Sequence, residues 1–297
     1  MNITGSICAL ATPFGSDGGL DLVAYGQLID YQIAGGTEAL VVAGSTGESH
    51  FLDHAEFDRL LAFAVERVAG RVPVLAGTGE AGTERTVAMT RHARELGADA
   101  ALVVTPFYVR PTQEGLRRHF TEVADRGGLP LILYNVPPRT GCDLAPATVA
   151  LLREHPAIVG IKEARGDDER ISAIAELVRP DFVYLTGDDG TAHTAMLAGA
   201  AGTISVVANL VPGPFRRLCD LARAGQREAA LGQARALAPL IEALNCAPNP
   251  IPVKAGLAAL GLGSAAPRLP LVELEAGAAL THLRETLAAL APLASAA

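Results

Sequence analysis

Short apolar runs recur along the first three quarters of the chain, and a segment with helical periodicity follows each of them. Most of these runs are continuously apolar rather than alternating, which is typical of strands buried on both faces of a parallel sheet. Amphipathic segments such as 55–69 and 83–96 lie between the runs and carry their charges on one face. The runs that predict strands are 6–12, 39–44, 72–77, 100–105, 130–135, 157–163, 182–187 and 203–207.

This rhythm predicts an α/β fold, a (β/α)8 TIM barrel over residues 1–225. About eight strand–helix units over roughly 225 residues are the number and length that close such a barrel. A doubly wound open sheet is the alternative, but no GxGxxG follows the first strand to support a dinucleotide site. Residues 226–297 predict a C-terminal helical domain instead, because their helices have no strands between them. These helices are expected at 226–244, 251–260 and 271–290.

Charge and cysteine usage exclude several classes of protein. The net charge of -8 argues against nucleic acid and anionic membranes as partners, and no apolar run is long enough to span a bilayer. The cysteines show neither a CxxC pair nor metal-ligand spacing, so we expect free thiols in a reducing compartment and no metal. No arginine or lysine precedes Arg59, so the charged start of a secretory signal is missing. We expect a cytoplasmic protein.

The run at 157–163 ends at Lys162, a lysine placed where a buried strand stops. A buried ammonium is costly to desolvate. Lys162 and Lys254 are the only lysines in a chain that otherwise uses arginine. Amines can lose a proton and attack a carbonyl, which guanidinium groups cannot do. The alternative is a structural lysine that reaches out of the strand end to pair with Glu163.

Other strand ends carry polar side chains, and the active sites of such barrels lie at these ends. The Gly-Ser-Thr-Gly-Glu segment at 44–48 offers backbone N–H groups and two hydroxyls, a cradle suited to a carboxylate, although such turns are common. Tyr134 lies next to the Lys162 strand, where it would either shuttle protons or simply pack. Asp188 and Asp189 lack a third ligand at metal spacing, so we expect them to cap the next helix.

Several motifs together resemble the dihydrodipicolinate synthase/N-acetylneuraminate lyase family, and most closely its synthase branch. The similarity runs nearly end to end, and its motifs fall on the predicted strand ends. They lie at 44–48, 105–108, 111–115, 134–141, 160–164, 185–189 and 249–254. The resemblance implies a (β/α)8 barrel with a C-terminal helical domain, a homotetramer built as a dimer of dimers, and no cofactor.

The resemblance also implies a reaction, the Schiff-base condensation of pyruvate with L-aspartate-4-semialdehyde. The product is 4-hydroxy-tetrahydrodipicolinate, an intermediate of lysine and diaminopimelate biosynthesis. Lys162 matches the family's imine-forming lysine. The backbone N–H groups of Ser45 and Thr46 match those that hold the pyruvate carboxylate. Arg139 matches the arginine that grips the semialdehyde carboxylate, a bidentate task suited to a guanidinium.

The remaining matched positions complete this site. Tyr134 is expected to relay protons through the Ser45 hydroxyl to Tyr108, which in the family comes from the neighbouring subunit. Gly187 and Ile204 are expected to line the pyruvate end. The family usually has threonine at the position of Ser45. Serine keeps the hydroxyl but loses the methyl that restrains χ1, so we expect a slower rather than an abolished reaction.

Three alternative functions are weaker. Another pyruvate aldolase of the family, acting on sialic acid or a keto-deoxy-sugar acid, would need small or hydroxyl-bearing residues at the position of Arg139. A catalytically silent regulator that binds pyruvate or an amino acid would not need Lys162, Tyr134, Tyr108 and Arg139 together. A purely structural assembly protein would have no reason to place these side chains on one barrel rim.

Some members of the family are inhibited by L-lysine, which binds at their tight-dimer interface. This chain keeps Ser49 and His54 at the matching positions. It has Ala81 in place of an asparagine, and Arg85 in place of the glutamate that binds the effector's amino group. The neighbouring Glu84 would point about 100° away around the helix. We therefore expect weak inhibition by L-lysine or none.

Overall fold

Eight parallel strands close into a barrel in the order β1 to β8, with β8 paired to β1. The structure, a computed structural model, describes residues 3–294. Each predicted run overlaps one of the strands, and the predicted barrel is confirmed. The strands are β1 Gly5–Ala9, β2 Ala39–Val42, β3 Val74–Gly77, β4 Ala100–Val104, β5 Leu131–Asn135, β6 Ile158–Glu163, β7 Val183–Thr186 and β8 Gly202–Ser205.

Side chains alternate between two environments along each strand, as the geometry of a strand requires. One set points into the barrel and forms a small apolar core that includes Ile132 and Leu185. The other set, which includes Ile161, packs against the surrounding helices. Lys162 follows Ile161 and therefore turns into the barrel. The register of β6 places Lys162 opposite Tyr134 on β5 and Leu185 on β7.

Helices cover the outside of the barrel, and local sequence signals fix where several begin. Asp53 and Glu56 form a reciprocal capping box at the start of the helix His54–Val68. Thr112 and Asp167 cap the helices Gln113–Gly127 and Asp168–Ala175 through their side-chain oxygens. The barrel helices are α1 Leu22–Ala34, α2 His54–Val68, α3 Thr83–Glu95, α4 Gln113–Gly127, α5 Pro137–Thr140, α6 Pro146–Leu152, α7 Asp168–Ala175, α8 Ala192–Leu197 and α9 Pro212–Arg223.

Three further helices follow the last strand, α10 Arg227–Ala243, α11 Ile251–Ala259 and α12 Ala278–Ala294. The prediction of a helix from residue 271 is wrong at its start, because α12 begins only after Gly277. Leu271 and Leu274 are three residues apart, a spacing that imitates a helix. Leu271 instead lines a cavity and Leu274 packs against the core from a non-helical segment. No helix in the described part of the chain is long and apolar enough to cross a membrane.

Strands β6 and β7 are in close contact at Gly160. A Cβ atom at Gly160 would lie 2.6 Å from the Val183 carbonyl oxygen and 2.7 Å from Val183 Cγ2. The oxygen belongs to the backbone of a buried parallel sheet and has little room to move. A side chain at this position would therefore push β6, the strand that carries Lys162, away from β7.

We expect Gly160→Ala to lower the free energy of unfolding by about 1–3 kcal/mol, the usual cost of overpacking. Denaturant unfolding of the variant and the wild type measures this change. Gly232→Ala is the matched control, because nothing lies within 4 Å of a Cβ placed on this glycine of α10. That control should gain roughly 0.5–1 kcal/mol. Unchanged stability of Gly160→Ala would contradict the close contact between β6 and β7.

Candidate active site

A cavity of about 380 Å³ opens at the C-terminal ends of the strands. It adjoins a second cavity of about 260 Å³, and the residues common to both walls are Ser45, His50, Val104, Val136, Arg139 and Asn249. Apolar side chains make up much of the lining, with a few polar groups converging on it, as in most small-molecule sites. The residues of the first cavity that matter for chemistry are Ser45, Thr46, Tyr134, Arg139, Lys162 and Gly187.

Lys162 projects into the larger cavity from the end of β6. Its side chain is almost buried, with 5% of the residue exposed. Its Nζ atom lies 4.2 Å from the centroid of the Tyr134 ring, a position in which the ring face stabilises a cation. Lys162 takes part in none of the ion pairs found within residues 3–294. No counter-ion therefore holds the amine away from a substrate.

Glu163, the next residue, faces the helices and has its own partners. Its carboxylate accepts hydrogen bonds from Asn135 Nδ2 at 3.1 and 3.0 Å and from the Arg165 N–H at 2.9 Å. It also pairs with Arg170 at 3.4 Å. Burial raises the pKa of Glu163, and these hydrogen bonds and the nearby guanidinium oppose the rise. The alternative in which Lys162 pairs with Glu163 is therefore wrong.

Gly187 makes room for the lysine side chain at the end of β7. A Cβ atom there would lie only 2.7 Å from Lys162 Cε. The Gly187 N–H donates to the Glu163 carbonyl oxygen at 2.7 Å, which fixes this close approach. Ile204 is fully buried in the barrel core on β8, below the cavity wall. From the β8 side, Val206 reaches that wall.

The Gly-Ser-Thr-Gly-Glu segment folds back on itself after β2. The Glu48 N–H donates to the Ser45 carbonyl oxygen at 3.2 Å, and Thr12 Oγ1 donates to the Gly47 carbonyl oxygen at 2.7 Å. Glu48 has a left-handed backbone, with φ at 56°. This conformation costs roughly 1–2 kcal/mol for a residue other than glycine. Contacts of the Glu48 side chain must therefore offset the strain.

The principal contact is with Lys254 on α11. Its Nζ atom lies 2.6 Å from Glu48 Oε1, and the side chains are 1% and 0% exposed. The second carboxylate oxygen accepts the Arg268 N–H at 2.9 Å. Burial lowers the pKa of Lys254, and the hydrogen bond to Glu48 opposes this effect. The second lysine of the chain is thus held in an ion pair and does not line the Lys162 cavity.

Arg139 lies at the rim of the cavity on the short helix α5. Its Nη2 atom donates to the Asn249 carbonyl oxygen at 3.1 Å, and Asn249 Nδ2 donates to Thr46 Oγ1 at 2.9 Å. One residue of the C-terminal segment therefore links the two groups expected to bind carboxylates. Sequence reasoning gave Asn249 no role, although it opens the motif at 249–254.

Tyr134 and Ser45 share the wall that carries Lys162. Tyr134 is 7% exposed, so its ring is held firmly beside the amine. Tyr108, by contrast, is 92% exposed, has φ at 71° and lies outside the cavity. Tyr134 and Ser45 of one chain therefore line the same cavity as Lys162. Tyr108 does not reach the Lys162 site of its own chain.

The two neighbouring aspartates after β7 have different partners. Asp188 accepts from the Thr191 N–H at 3.0 Å and from Thr191 Oγ1 at 2.6 Å, at the start of α8. Asp189 does not cap that helix. Its buried carboxylate accepts from the N–H groups of Val206 and Val207 at 3.0 and 2.9 Å and so fixes the turn after β8. Across residues 3–294, no three His, Cys, Asp or Glu side chains cluster as a metal site would require.

Two of the positions compared with the L-lysine site, Ser49 and His54, line a separate cavity of about 200 Å³. Glu80 lines it as well, whereas Ala81 and Arg85 are not part of its wall. Glu84 lies on the exposed face of α3, and Arg126 binds both of its carboxylate oxygens, at 2.6 and 2.7 Å. Glu84 is therefore committed to a partner away from this cavity.

Known proteins resemble this chain over almost its whole length. Residues 2–290 match the model of the dihydrodipicolinate synthetase family. A 4-hydroxy-tetrahydrodipicolinate synthase of Xanthomonas axonopodis pv. citri is 58% identical over 276 residues, which cover 93% of this chain and 91% of the relative. One of Stenotrophomonas maltophilia is 53% identical over 297 residues, 99% of this chain and 100% of the relative. The crystal structure of chloride-inhibited dihydrodipicolinate synthase from Acinetobacter baumannii, complexed with pyruvate, matches with a TM-score of 0.93 and 41% identity over 99% of both chains.

Proposed function

The chain belongs to the dihydrodipicolinate synthetase family, and we propose that it is a lyase, a 4-hydroxy-tetrahydrodipicolinate synthase. The reaction is the condensation of pyruvate with L-aspartate-4-semialdehyde in the biosynthesis of lysine and diaminopimelate. The observation that carries this proposal is the Lys162 amine, which lies in the cavity beside Tyr134 and pairs with no carboxylate of the described residues 3–294. An amine in that setting can form an imine with the keto group of pyruvate.

The chemistry begins when Lys162 Nζ attacks C2 of pyruvate and water leaves, which gives the imine. The imine draws electrons from the neighbouring methyl group, so a methyl proton leaves and an enamine forms. The enamine carbon adds to the aldehyde carbon of the semialdehyde. The amine of that substrate then attacks the imine carbon, closes the ring and releases Lys162. No oxidation or reduction occurs in these steps.

The protein supplies orientation and proton transfer for these steps. Backbone N–H groups of Ser45 and Thr46 would hold the pyruvate carboxylate, because a turn of this kind presents N–H groups to an anion. Tyr134 lies beside the Lys162 amine and would carry protons through the Ser45 hydroxyl. Gly187 leaves room for the imine, and Ile204 supports the pyruvate end from the core below.

Arg139 favours the semialdehyde over a sugar-like acceptor. Its single hydrogen bond to the Asn249 carbonyl oxygen uses one of the five N–H groups of the guanidinium. The other N–H groups suit a bidentate contact with a substrate carboxylate. A lyase acting on sialic acid or a keto-deoxy-sugar acid has no use for a cation at this rim.

The assembly that we propose is a homotetramer, a dimer of dimers. Tyr108 and Val109 support it, because 92% and 56% of their surfaces are exposed on the loop after β4. A partner subunit would cover this apolar surface and would receive Tyr108 in its own site. All four cysteines are free thiols, which supports a location in the cytoplasm.

We expect borohydride to trap pyruvate on Lys162 and to abolish activity. The two lysines of the chain fall in separate peptides after cleavage, so mass spectrometry of the digest assigns the label. Lys162→Ala should show neither trapping nor turnover. Label on the peptide that contains Lys254, or turnover by Lys162→Ala, would contradict the mechanism.

Arg139→Ala should weaken turnover with L-aspartate-4-semialdehyde while imine formation with pyruvate stays nearly intact. Loss of a charge-assisted bidentate contact should remove roughly 2–4 kcal/mol of transition-state binding, seen as a lower kcat/KM for the semialdehyde. Arg139→Lys is the matched control, since it keeps the charge without the planar fork, and it should recover part of the loss. An equal loss in both half-reactions would mean that Arg139 has a structural role.

We expect L-lysine to inhibit the enzyme weakly or not at all. Arg85 stands where lysine-sensitive members of the family carry a glutamate, and Glu84 is bound to Arg126. Steady-state assays over a series of L-lysine concentrations test this prediction. Cooperative inhibition below millimolar concentration would show it to be wrong and would point to Glu80, which lines the separate cavity.

A further inference from the structure

The loop at 44–48 is anchored from the C-terminal helices as well as from the barrel. Lys254 on α11 pairs with Glu48 Oε1 at 2.6 Å, and Arg268 donates its backbone N–H to Oε2 at 2.9 Å. Asn249, just before α11, donates to Thr46 Oγ1 at 2.9 Å. Two residues of the loop are thus tied to one stretch of chain that lies more than two hundred residues further on.

Two cations lie near Glu48, and of these Lys254 is its ion-pair partner. The guanidinium of Arg268 binds Glu56 and the Phe51 carbonyl oxygen instead, at 2.6 and 2.7 Å. The Phe14 ring lies against both cations, 4.2 Å from Lys254 Nζ and 4.2 Å from Arg268 Cζ. Each positive group therefore has its own carboxylate.

Glu48, the residue that these contacts anchor, also has a strained backbone. Glu48 is in a left-handed conformation, and its N–H donates to the Ser45 carbonyl oxygen at 3.2 Å. The direction of the Ser45 and Thr46 N–H groups depends on how this turn closes. If the carboxylate is released, the backbone of Glu48 can leave its left-handed conformation and the turn can open.

We infer that Lys254 and Glu48 are positioning residues for pyruvate, which hold the loop at 44–48 so that its N–H groups face the substrate carboxylate. This inference rests on the proposed function. It gives the C-terminal helices a part in substrate binding, although they contribute no reacting group. The two lysines thus have different roles. Lys162 reacts with the substrate carbon, and Lys254 holds the loop that binds the substrate carboxylate.

A positioning role has a particular kinetic signature. The carboxylate of pyruvate stays bound in the ground state and in the transition state, so a displaced cradle weakens both alike. Such a loss raises KM for pyruvate and leaves kcat nearly unchanged. A residue needed only for folding would lower the melting temperature and the active fraction without moving KM.

The double variant Glu48→Gln/Lys254→Met tests the inference without leaving an unpaired buried charge. The introduced glutamine amide keeps an acceptor for the Arg268 N–H, and methionine matches the length of the lysine stem. We expect KM for pyruvate, and the pyruvate concentration that half-saturates borohydride trapping on Lys162, to rise about tenfold, with kcat within about threefold of the wild type. Glu48→Asp, which keeps the charge but shortens the side chain, should raise both about threefold. It supplies the answer if the double variant does not fold.

Val253→Ala is the matched control, because Val253 is 1% exposed on the same helix and touches the core rather than the ion pair. It should lower the melting temperature and leave half-saturation by pyruvate within about twofold. An unchanged KM in both Glu48→Gln/Lys254→Met and Glu48→Asp, or an equal rise in Val253→Ala, would overturn the inference. Wild-type protein that traps no pyruvate would instead overturn the proposed function and this inference with it.

Discussion

Closure of the eight strands confines every second strand side chain to one enclosed interior, and the site depends on this constraint. The interior is filled with apolar side chains, which offer the Lys162 amine no charged partner among those core residues. The Lys162 side chain therefore extends toward the C-terminal ends of the strands, past Gly187 and beside Tyr134, and enters the cavity there. The backbone hydrogen bonds that close the barrel therefore also fix the direction of the Lys162 side chain. A parallel sheet suits this task because both of its faces are covered.

The surroundings of the two lysines explain why one is suited to react with a substrate and the other to stabilise the structure. Both are almost fully buried. Lys254 faces a carboxylate that is equally buried, and the two charges compensate each other. Lys162 faces an aromatic ring and open cavity instead. An arginine in place of Lys162 could not give up its proton, whereas the pair at Lys254 needs only a cation of the right length.

The sequence predicted the barrel and the cluster at its rim because both follow from local patterns. Continuous apolar runs identify buried strands, and Lys162, Tyr134 and Gly187 stand where such runs end. Contacts between distant parts of the chain leave no such pattern. Nothing near Glu48 indicates Lys254 as its partner, and nothing near Asp189 indicates the N–H groups after β8. The start of the helix expected at 271–290 was wrong, because an irregular segment that packs on a core, as 271–277 does, can resemble a helix in its apolar spacing.

The contacts that tie Glu48 to the end of the chain also bear on how the protein is made. Lys254 and Arg268 follow Glu48 by 206 and 220 residues. The ribosome adds residues one at a time, at roughly 5–20 per second, and domains begin to fold from the N-terminal side. All eight strands have been synthesised before either anchor is added. A nascent barrel thus carries Lys162 before the side chains that hold its substrate loop have been added, so we expect it to bind pyruvate less tightly until Lys254 and Arg268 are in place.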